Sequence, residues 1–263
     1  AGLTLATGLA RGGVDDMVLL CRDRRRREQV RQWVASWPEL FSGEPLVLSA
    51  IDPSLQTCDT VIFATLDRSL SDAAAAWVAG GAMAQAQVWL HLSGLQPPAV
   101  LQVDGGSEQV GSVHPLAALP DPLLCGAADQ AALEIATRPL EGALFALAGE
   151  GEAVARGRVV AETVGAVAVE LGVERRAAYH AAATVVANDL VALLAVGERL
   201  CERAGLDAAV ARSGLLHLAR TSIDAIESRA SSSAGSLADG LTGAVGRGDA
   251  STVARHVEAL SDD

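Results

Sequence analysis

The sequence predicts an α/β domain built on a doubly wound parallel sheet, followed by an all-helical domain. Up to about residue 150, near-continuous apolar runs of strand length alternate with helical stretches. Strands that are buried on both faces have this character, and their alternation with helices is typical of a parallel sheet covered by helices. From Glu152 onward the strand signals stop and long helical patterns follow. We therefore expect one domain over residues 1–173 and a second over residues 174–263.

The elements of the first domain can be placed in order along the chain. Residues 1–10 favour a helix, and residues 24–36 favour another in which Val30, Trp33 and Val34 are spaced for one buried face. A third helix is expected over residues 71–86. Strands are predicted at residues 17–21, 46–48, 60–64 and 87–92, with weaker candidates at 109–113 and 143–147.

The rest of the chain, from Glu152, is predicted to be helical throughout. Helical patterns cover residues 152–171, 176–204 and 206–228, and a Ser/Gly-rich break at 230–235 precedes a final helix over 251–260. The apolar, alanine-rich surface of the 176–204 helix is too extensive for one thin helical layer to cover. We therefore expect this helix to form part of a homodimer interface.

The start of the chain indicates the first helix of a dinucleotide-binding unit. In the Rossmann fingerprint G-x-G-x-x-G the last glycine opens the helix and lets it pack close to the sheet, and Gly2 fits that position. The first strand and the other phosphate-loop glycines would then lie upstream of residue 1. The residue that reads the ribose follows about 20 positions later, at Arg22, where Arg22 and Arg24 suit a 2'-phosphate and favour NADP. The alternative is a surface helix followed by a solvated basic turn.

The acidic composition limits the possible partners and chemistry. The net charge of −12 argues against nonspecific binding to nucleic acid or to an anionic membrane, because either partner would be repelled. All 20 basic side chains counted as Lys or Arg are arginine, so catalysis by a lysine amine is excluded, whether as a Schiff base or as a general acid.

The cysteines, histidines and apolar runs favour a soluble cytoplasmic protein without a metal site. The four cysteines are scattered without a C-x-x-C pair, which indicates small buried residues in a reducing compartment. No signal peptide is visible, and no apolar run reaches about 18 residues without a charge or turn signal, so no transmembrane helix is expected. The five histidines are dispersed, and no metal-binding pattern is present.

The longest predicted helix carries a line of polar residues. His180, Thr184 and Asn188 are spaced i, i+4 and i+8 in an otherwise apolar stretch, so they share one helical face. Such a line either satisfies buried partners or lines a cleft, and we favour the cleft because three polar groups are aligned.

Several short motifs together resemble a bacterial family with a Rossmann-like N-terminal domain and a helical C-terminal domain of unknown function. This family lies in the superfamily of 6-phosphogluconate dehydrogenase, pyrroline-5-carboxylate reductase and prephenate dehydrogenase. The resemblance covers nearly the whole chain. Its markers are Thr65-Leu66-Asp67, His91-Leu92-Ser93-Gly94, Gly111-Ser112-Val113-His114-Pro115-Leu116, Tyr179-His180-Ala181-Ala182-Ala183 with Asn188, and the segment from Leu241 to Asp249. The chain departs from the family in lacking the glycine-rich loop and in having Ala244 where proline is usual.

The resemblance implies a homodimer of helical domains and an active-site cleft between the two domains. Hydroxyacid dehydrogenases of this superfamily place a lysine four residues before an asparagine, but here Thr184 precedes Asn188, so the lysine mechanism does not carry over. Prephenate dehydrogenases are more similar, with a serine after one strand and Gly-His-Pro after the next. By this resemblance His114 takes the proton of a substrate hydroxyl and Ser93 orients that group, and an imidazole that titrates near neutrality suits the role. The alternative is a tight turn with His114 bonded to backbone.

Further contacts are expected around the same cleft. The expected catalytic residues are Ser93, His114, Asn188 and His180. Ser93, His114 and Asn188 would face the interdomain cleft, with His180 and Arg247 at its rim. Thr65 and Asp67 would contact the cofactor, and Thr184, Thr242 and Arg247 the substrate. Arg247 offers a planar fork for a carboxylate or phosphate. Its segment is also compatible with an ordinary glycine-rich turn in which Asp249 or Ser251 caps the last helix.

Two classes of function remain open from the sequence. One is an NADP-dependent oxidoreductase that transfers hydride to or from a small polar or anionic substrate in the interdomain cleft. The other is a non-catalytic nucleotide-binding dimer, a sensor or scaffold, that retains the fold.

Overall fold

A computed structural model describes residues 1–41, 46–124, 129–230 and 236–261. Contacts within it divide the chain into a first unit, Ala1–Val186, and a second unit, Ala187–Asp263. Cys125 and most of the Ser/Gly-rich break, residues 231–235, lie outside the described residues.

The first unit alternates strands with helices, as expected for an α/β fold. The strands are β1 (Val18–Leu20), β2 (Leu46–Leu48), β3 (Thr60–Phe63), β4 (Val88–His91), β5 (Gln109–Pro115), β6 (Leu144–Gly149) and β7 (Val167–Glu170). The helices are α1 (Gly2–Arg11), α2 (Arg24–Ala35), α3 (Leu70–Ala79), α4 (Gln130–Thr137), α5 (Gly151–Thr163) and α6 (Arg176–Thr184). The predicted 71–86 helix is shorter than expected, because the chain turns at Gly80 and at Gly81, whose φ is +71°.

The strands form two sheets in the described part of the chain. β1 and β2 pair in parallel, and a five-stranded sheet has the order β3-β4-β5-β6-β7. The predicted α/β, Rossmann-type class is confirmed, but the sheet is mixed, because β6 runs antiparallel to β5. The prediction that strand signals stop at Glu152 is wrong. Gly165, with φ +73°, follows α5, and β-branched Val167 and Val169 then form β7 at the sheet edge.

Both faces of the five-stranded sheet are covered. On one face Leu90, Val113 and Phe145 pack with Ala161 of α5. On the other face Phe63 and Trp89 pack with Leu70, Ala74 and Trp77 of α3. This alternation along the strands explains why they have near-continuous apolar sequences.

The second unit is helical in its described residues. It contains a π-helical turn (Val185–Asp189, beginning in the first unit), α7 (Leu190–Arg203), α8 (Ala208–Ala230), α9 (Gly243–Gly246) and α10 (Ala250–Ser261). The helical stretch Val173–Arg203 is long and apolar enough to cross a membrane by length and composition, and its most apolar window is not buried. The expectation that the chain has no transmembrane helix therefore stays a prediction.

Candidate functional site

The sheet register brings the predicted residues of the first unit to one edge. Phe63 of β3 pairs with His91 of β4, and His91 pairs with Ser112 of β5. Ser93 and His114 each lie two residues further along their own strand direction. These strands are parallel, so both residues lie at the carboxyl edge, where open α/β sheets bind their ligands.

Ser93 organises the turn after β4. Its buried hydroxyl donates to Asp67 Oδ2 at 2.7 Å and accepts the backbone N–H groups of Leu95 at 3.2 Å and Gln96 at 2.9 Å. The hydroxyl proton is therefore engaged by Asp67, a residue that we expected at the cofactor. This contact joins the segment after β3 to the turn after β4.

His91, to which the sequence analysis gave no role, supports the same turn. Its Nδ1 accepts the Ser93 N–H at 3.1 Å, so the ring proton lies on Nε2, which donates to the Pro97 carbonyl at 3.3 Å. Burial, followed by the positive charge of Arg176, lowers the pKa of His91 to about 4. The imidazole is thus neutral and has a fixed tautomer.

His114 is half-buried and contacts helix α6. Its Nδ1 lies 2.9 Å from the hydroxyl of Tyr179, and the two rings meet edge to face with centroids 5.4 Å apart. Burial raises the pKa of Tyr179 to about 12, so this phenol stays protonated and can donate to Nδ1. Burial, then His180 and Arg176, lowers the pKa of His114 to about 4. The expectation that His114 titrates near neutrality is therefore not met.

Gly94 lies directly against two imidazoles. A Cβ at this position would be 2.7 Å from His180 Nδ1 and 2.8 Å from His114 Nε2, so an alanine here would force the rings or the turn to shift. The two rings have centroids 5.9 Å apart. His180 Nδ1 is buried, and it has no hydrogen-bond partner in the described part of the chain. The two histidine nitrogens therefore face the same short backbone segment.

Arg176 is the least expected member of this group. Its side chain is buried at the first residue of α6, where Nη1 donates to Ser112 Oγ at 2.8 Å and Nη2 donates to the Ser93 carbonyl. Its Nε is buried without a partner among the described residues. The one available signal was its spacing, because residues 176, 179 and 180 share one helical face.

The structure shows the local surroundings of the residues that are predicted to bind the cofactor. Gly2 opens α1, and a Cβ there would be 2.7 Å from the Ala64 Cβ, so α1 packs close to the end of β3. Arg22 and Arg24 are exposed after β1, whereas Arg26 forms a two-point ion pair with Asp121 at 2.5 and 2.8 Å. Thr65 is exposed after β3. Helix α1 and the exposed arginines fit the phosphate groups of a dinucleotide.

The remaining predicted residues lie apart from this group along the chain. Thr184 belongs to the first unit, where it is exposed and donates to the His180 carbonyl at 3.0 Å. Asn188 lies in the π-helical turn of the second unit, and π-helical turns occur frequently at functional sites. Thr242 and Arg247 are exposed residues that flank α9. Their shared cleft with His114 stays a prediction.

Two further features concern the cap of the last helix and the question of a metal site. Asp249 caps the last helix, since its Oδ1 accepts the Thr252 N–H at 3.1 Å, as the simple-turn interpretation expected. Within the described ranges, no group of three or more His, Cys, Asp and Glu side chains could hold a metal ion.

Comparison with known proteins supports the fold. A family model described as a domain of unknown function (DUF2520) matches residues 143–263. No curated protein matches the chain. Among solved structures, the chain is similar to a protein from Thermotoga maritima, with 22% identity, a TM-score of 0.66, and coverage of 98% of this chain and 87% of that one.

Two other solved structures belong to the classes that the sequence motifs resemble. Pyrroline carboxylate reductase from Plasmodium falciparum, solved with NADP bound, has 10% identity and a TM-score of 0.60 over 99% of this chain and 89% of that chain. Prephenate dehydrogenase from Aquifex aeolicus has 13% identity and a TM-score of 0.52 over 77% and 68%. These likenesses show a Rossmann-type fold with a helical C-terminal domain.

Proposed function

We propose that the protein is an NADP-dependent oxidoreductase that acts on a small polar or anionic substrate. The observation that carries this proposal is the placement of His114. Its imidazole lies at the carboxyl edge of the sheet, its Nδ1 is paired with Tyr179, and its Nε2 has no partner among the described residues. The solved neighbours that share this fold include an NADP-bound reductase.

His114 would exchange the substrate proton at Nε2. Because the ring is neutral above about pH 4, it can accept a proton from a hydroxyl or donate one to a carbonyl or imine, according to its tautomer. When Tyr179 donates to Nδ1, the Nε2 atom carries the proton, which suits reduction. The bound nicotinamide would supply or take the hydride.

The cofactor would be held at the start of the fold. Helix α1 and Gly2 would face the pyrophosphate, Arg22 and Arg24 the 2'-phosphate, and Asp67 the nicotinamide end. We expect the protein to bind NADPH more tightly than NADH. Replacing Arg22 and Arg24 together by alanine should remove most of that preference, whereas Arg158→Ala, which breaks a surface ion pair on α5, should keep it. Equal affinity of the unmodified protein for both cofactors would refute this assignment.

The activity can be tested by following NADPH absorbance with a panel of small 2-keto acids and cyclic imines. The same protein is assayed in reverse with NADP and hydroxy acids. We expect turnover with one of these classes, and His114→Ala should lower kcat by about 100-fold or more. His217→Ala, at an exposed site on α8, is the matched control. Tight NADPH binding without turnover on any of these substrates would support the alternative, a nucleotide-binding sensor or scaffold.

We also propose that the helical unit pairs with a second copy of this chain. Large apolar side chains are exposed on α7 and α8, among them Val191 at 66%, Leu193 at 69% and Leu218 at 60%. An anionic membrane is a less favourable partner for these apolar side chains, because it would repel a chain with a net charge of −12. Light scattering at micromolar concentration should give a dimer. A strict monomer, or binding to anionic phospholipid vesicles, would overturn the proposal.

The unpaired cysteines support a reducing compartment. Cys21, Cys58 and Cys201 are free thiols. The cytoplasm is therefore the compartment that we propose.

A further inference from the structure

Arg176 is a buried cation that joins three elements of the first unit. Its side chain is only 1% exposed, and it extends from α6 to Ser112 on β5 and to the Ser93 carbonyl in the turn after β4. A planar guanidinium holds two acceptors in a fixed relation to each other, which a flexible ammonium does not. The three elements therefore keep a defined spacing through this one side chain.

The charge of Arg176 is balanced indirectly. The described residues place no carboxylate in direct contact with it, but Ser93 connects it to Asp67, since the hydroxyl of Ser93 donates to Asp67 while its carbonyl accepts from Arg176. Burying a charge without a direct counter-charge is costly. A hydrophobic side chain would fill the same space without that cost, so packing alone does not account for an arginine at this position.

We propose that Arg176 is a positioning residue for His114: it fastens the Ser93–Gly94 turn to β5, so that Gly94 stays against His114 and His180. This proposal rests on the proposed function of His114 as the group that exchanges the substrate proton. The geometry supports it because Gly94 follows directly on the carbonyl that Arg176 binds, and a Cβ on Gly94 would meet both rings within 2.8 Å. A shift of the turn would therefore change the surroundings of both imidazoles.

The charge of Arg176 also acts on His114. The charged or titratable groups that face this imidazole are His180, Arg176, Tyr179 and Asp67. Asp67 favours the protonated ring, whereas Arg176 and His180 oppose it, and Tyr179 is neutral. Removing the guanidinium should therefore raise the pKa of His114 from its value near 4.

Three variants of the protein separate these effects. Arg176→Met removes the charge and both hydrogen bonds. Arg176→Lys keeps the charge but loses the planar guanidinium that holds two acceptors in a fixed relation. Arg156→Met is the matched control, since Arg156 pairs with Asp59 at 3.0 Å outside this group. The readouts are kcat, KM, and the NMR titration of ¹⁵N-labelled histidine rings, with tryptophan fluorescence as the test of folding.

We expect Arg176→Met to lower kcat by about tenfold or more with a smaller change in KM, because misplacing a reacting group by about 1 Å is costly. The same variant should show a raised pKa of His114. Arg176→Lys should lower kcat but keep the low pKa, and Arg156→Met should change neither. Should Arg176→Met fail to fold, the lysine variant decides the question through kcat and the ring shifts of His114.

The proposal is overturned if either folded Arg176 variant leaves kcat within twofold and the histidine spectra unchanged. Failure of the proposed function has a different signature. In that case the unmodified protein turns over no substrate, while the titration of His114 in the Arg176 variants still decides whether Arg176 positions this ring.

Discussion

Mild acid should destabilise the first unit through its buried imidazoles. The pKa values of His91 and His114 are both lowered to about 4 in the folded chain, chiefly by burial, against an ordinary value of 6.5. Between these two values the unfolded chain binds more protons than the folded chain, so stability falls as the pH decreases through this range. The loss begins below about pH 7 and is complete below about pH 4.

The size of the effect follows from the two pKa values. Between pH 8 and pH 5, a histidine whose pKa falls from 6.5 to about 4 on folding loses about 2 kcal/mol of stability. We assign about 2 kcal/mol to the fully buried His91 and about 1–2 kcal/mol to the half-buried His114. A folded pKa one unit higher would lower each value by only a few tenths of a kcal/mol, because the unfolded pKa sets most of the proton uptake at pH 5.

Urea unfolding followed by tryptophan fluorescence measures this loss selectively. The four tryptophans, Trp33, Trp37, Trp77 and Trp89, all belong to the first unit. The free energy of unfolding should fall by about 3–4 kcal/mol more than the carboxylates alone would give. His114→Gln should recover about 1–2 kcal/mol of that loss, and the exposed His217→Gln serves as the control. If His114→Gln and the unmodified protein lose equal stability between pH 8 and pH 5, the assigned pKa of His114 is wrong.

Two further predictions concern buried contacts. Gln87 is 1% exposed and accepts a hydrogen bond from the Trp89 indole at 3.3 Å, so Gln87→Leu should cost about 2–4 kcal/mol in urea unfolding, whereas the exposed Gln56→Leu should cost less than about 0.5 kcal/mol. If the two variants lost equal stability, the hydrogen bond of the buried Gln87 would not be stabilising. Gly94→Ala should shift the ring resonances of both site histidines and lower kcat, because its methyl group would lie within 2.8 Å of a ring nitrogen on each. Unchanged spectra in a folded Gly94→Ala protein would show that the rings do not contact this turn.

The sheet was predictable where burial alone determines the sequence pattern. The runs at 60–64 and 87–92 are apolar on successive residues because β3 and β4 are covered by helices, and both form strands almost as expected. Strand β7 was missed because it is short and lies at the edge of the sheet, where three of its four residues are exposed. The antiparallel direction of β6 has no signature in its own residues, since direction depends on how the chain returns from β5.

The sequence predicted the edge of the sheet at which the site lies, but it did not predict the contacts of the site's side chains. Ser93 and His114 follow the predicted strands at 87–92 and 109–113, and parallel strands end at one edge, so their proximity could be inferred from order alone. The partner of each side chain depends on three-dimensional packing. Ser93, expected to orient substrate, donates to Asp67, and His114 pairs with Tyr179, to which the sequence analysis gave no role.

The spacing of polar residues on helix α6 does not tell which turn of the helix contacts the sheet. The predicted polar line runs from His180 towards Thr184, whereas the side chains that contact the sheet lie in the other direction, at Tyr179 and Arg176. Both sets share a helical face, so spacing alone cannot choose between them. The choice is made by the short connection from β7, which starts α6 close to β5 and brings its first turn, rather than its last, against the sheet. In that position an arginine that would ordinarily extend into solvent is buried beside two neutral imidazoles, and its role follows from this placement rather than from its residue type.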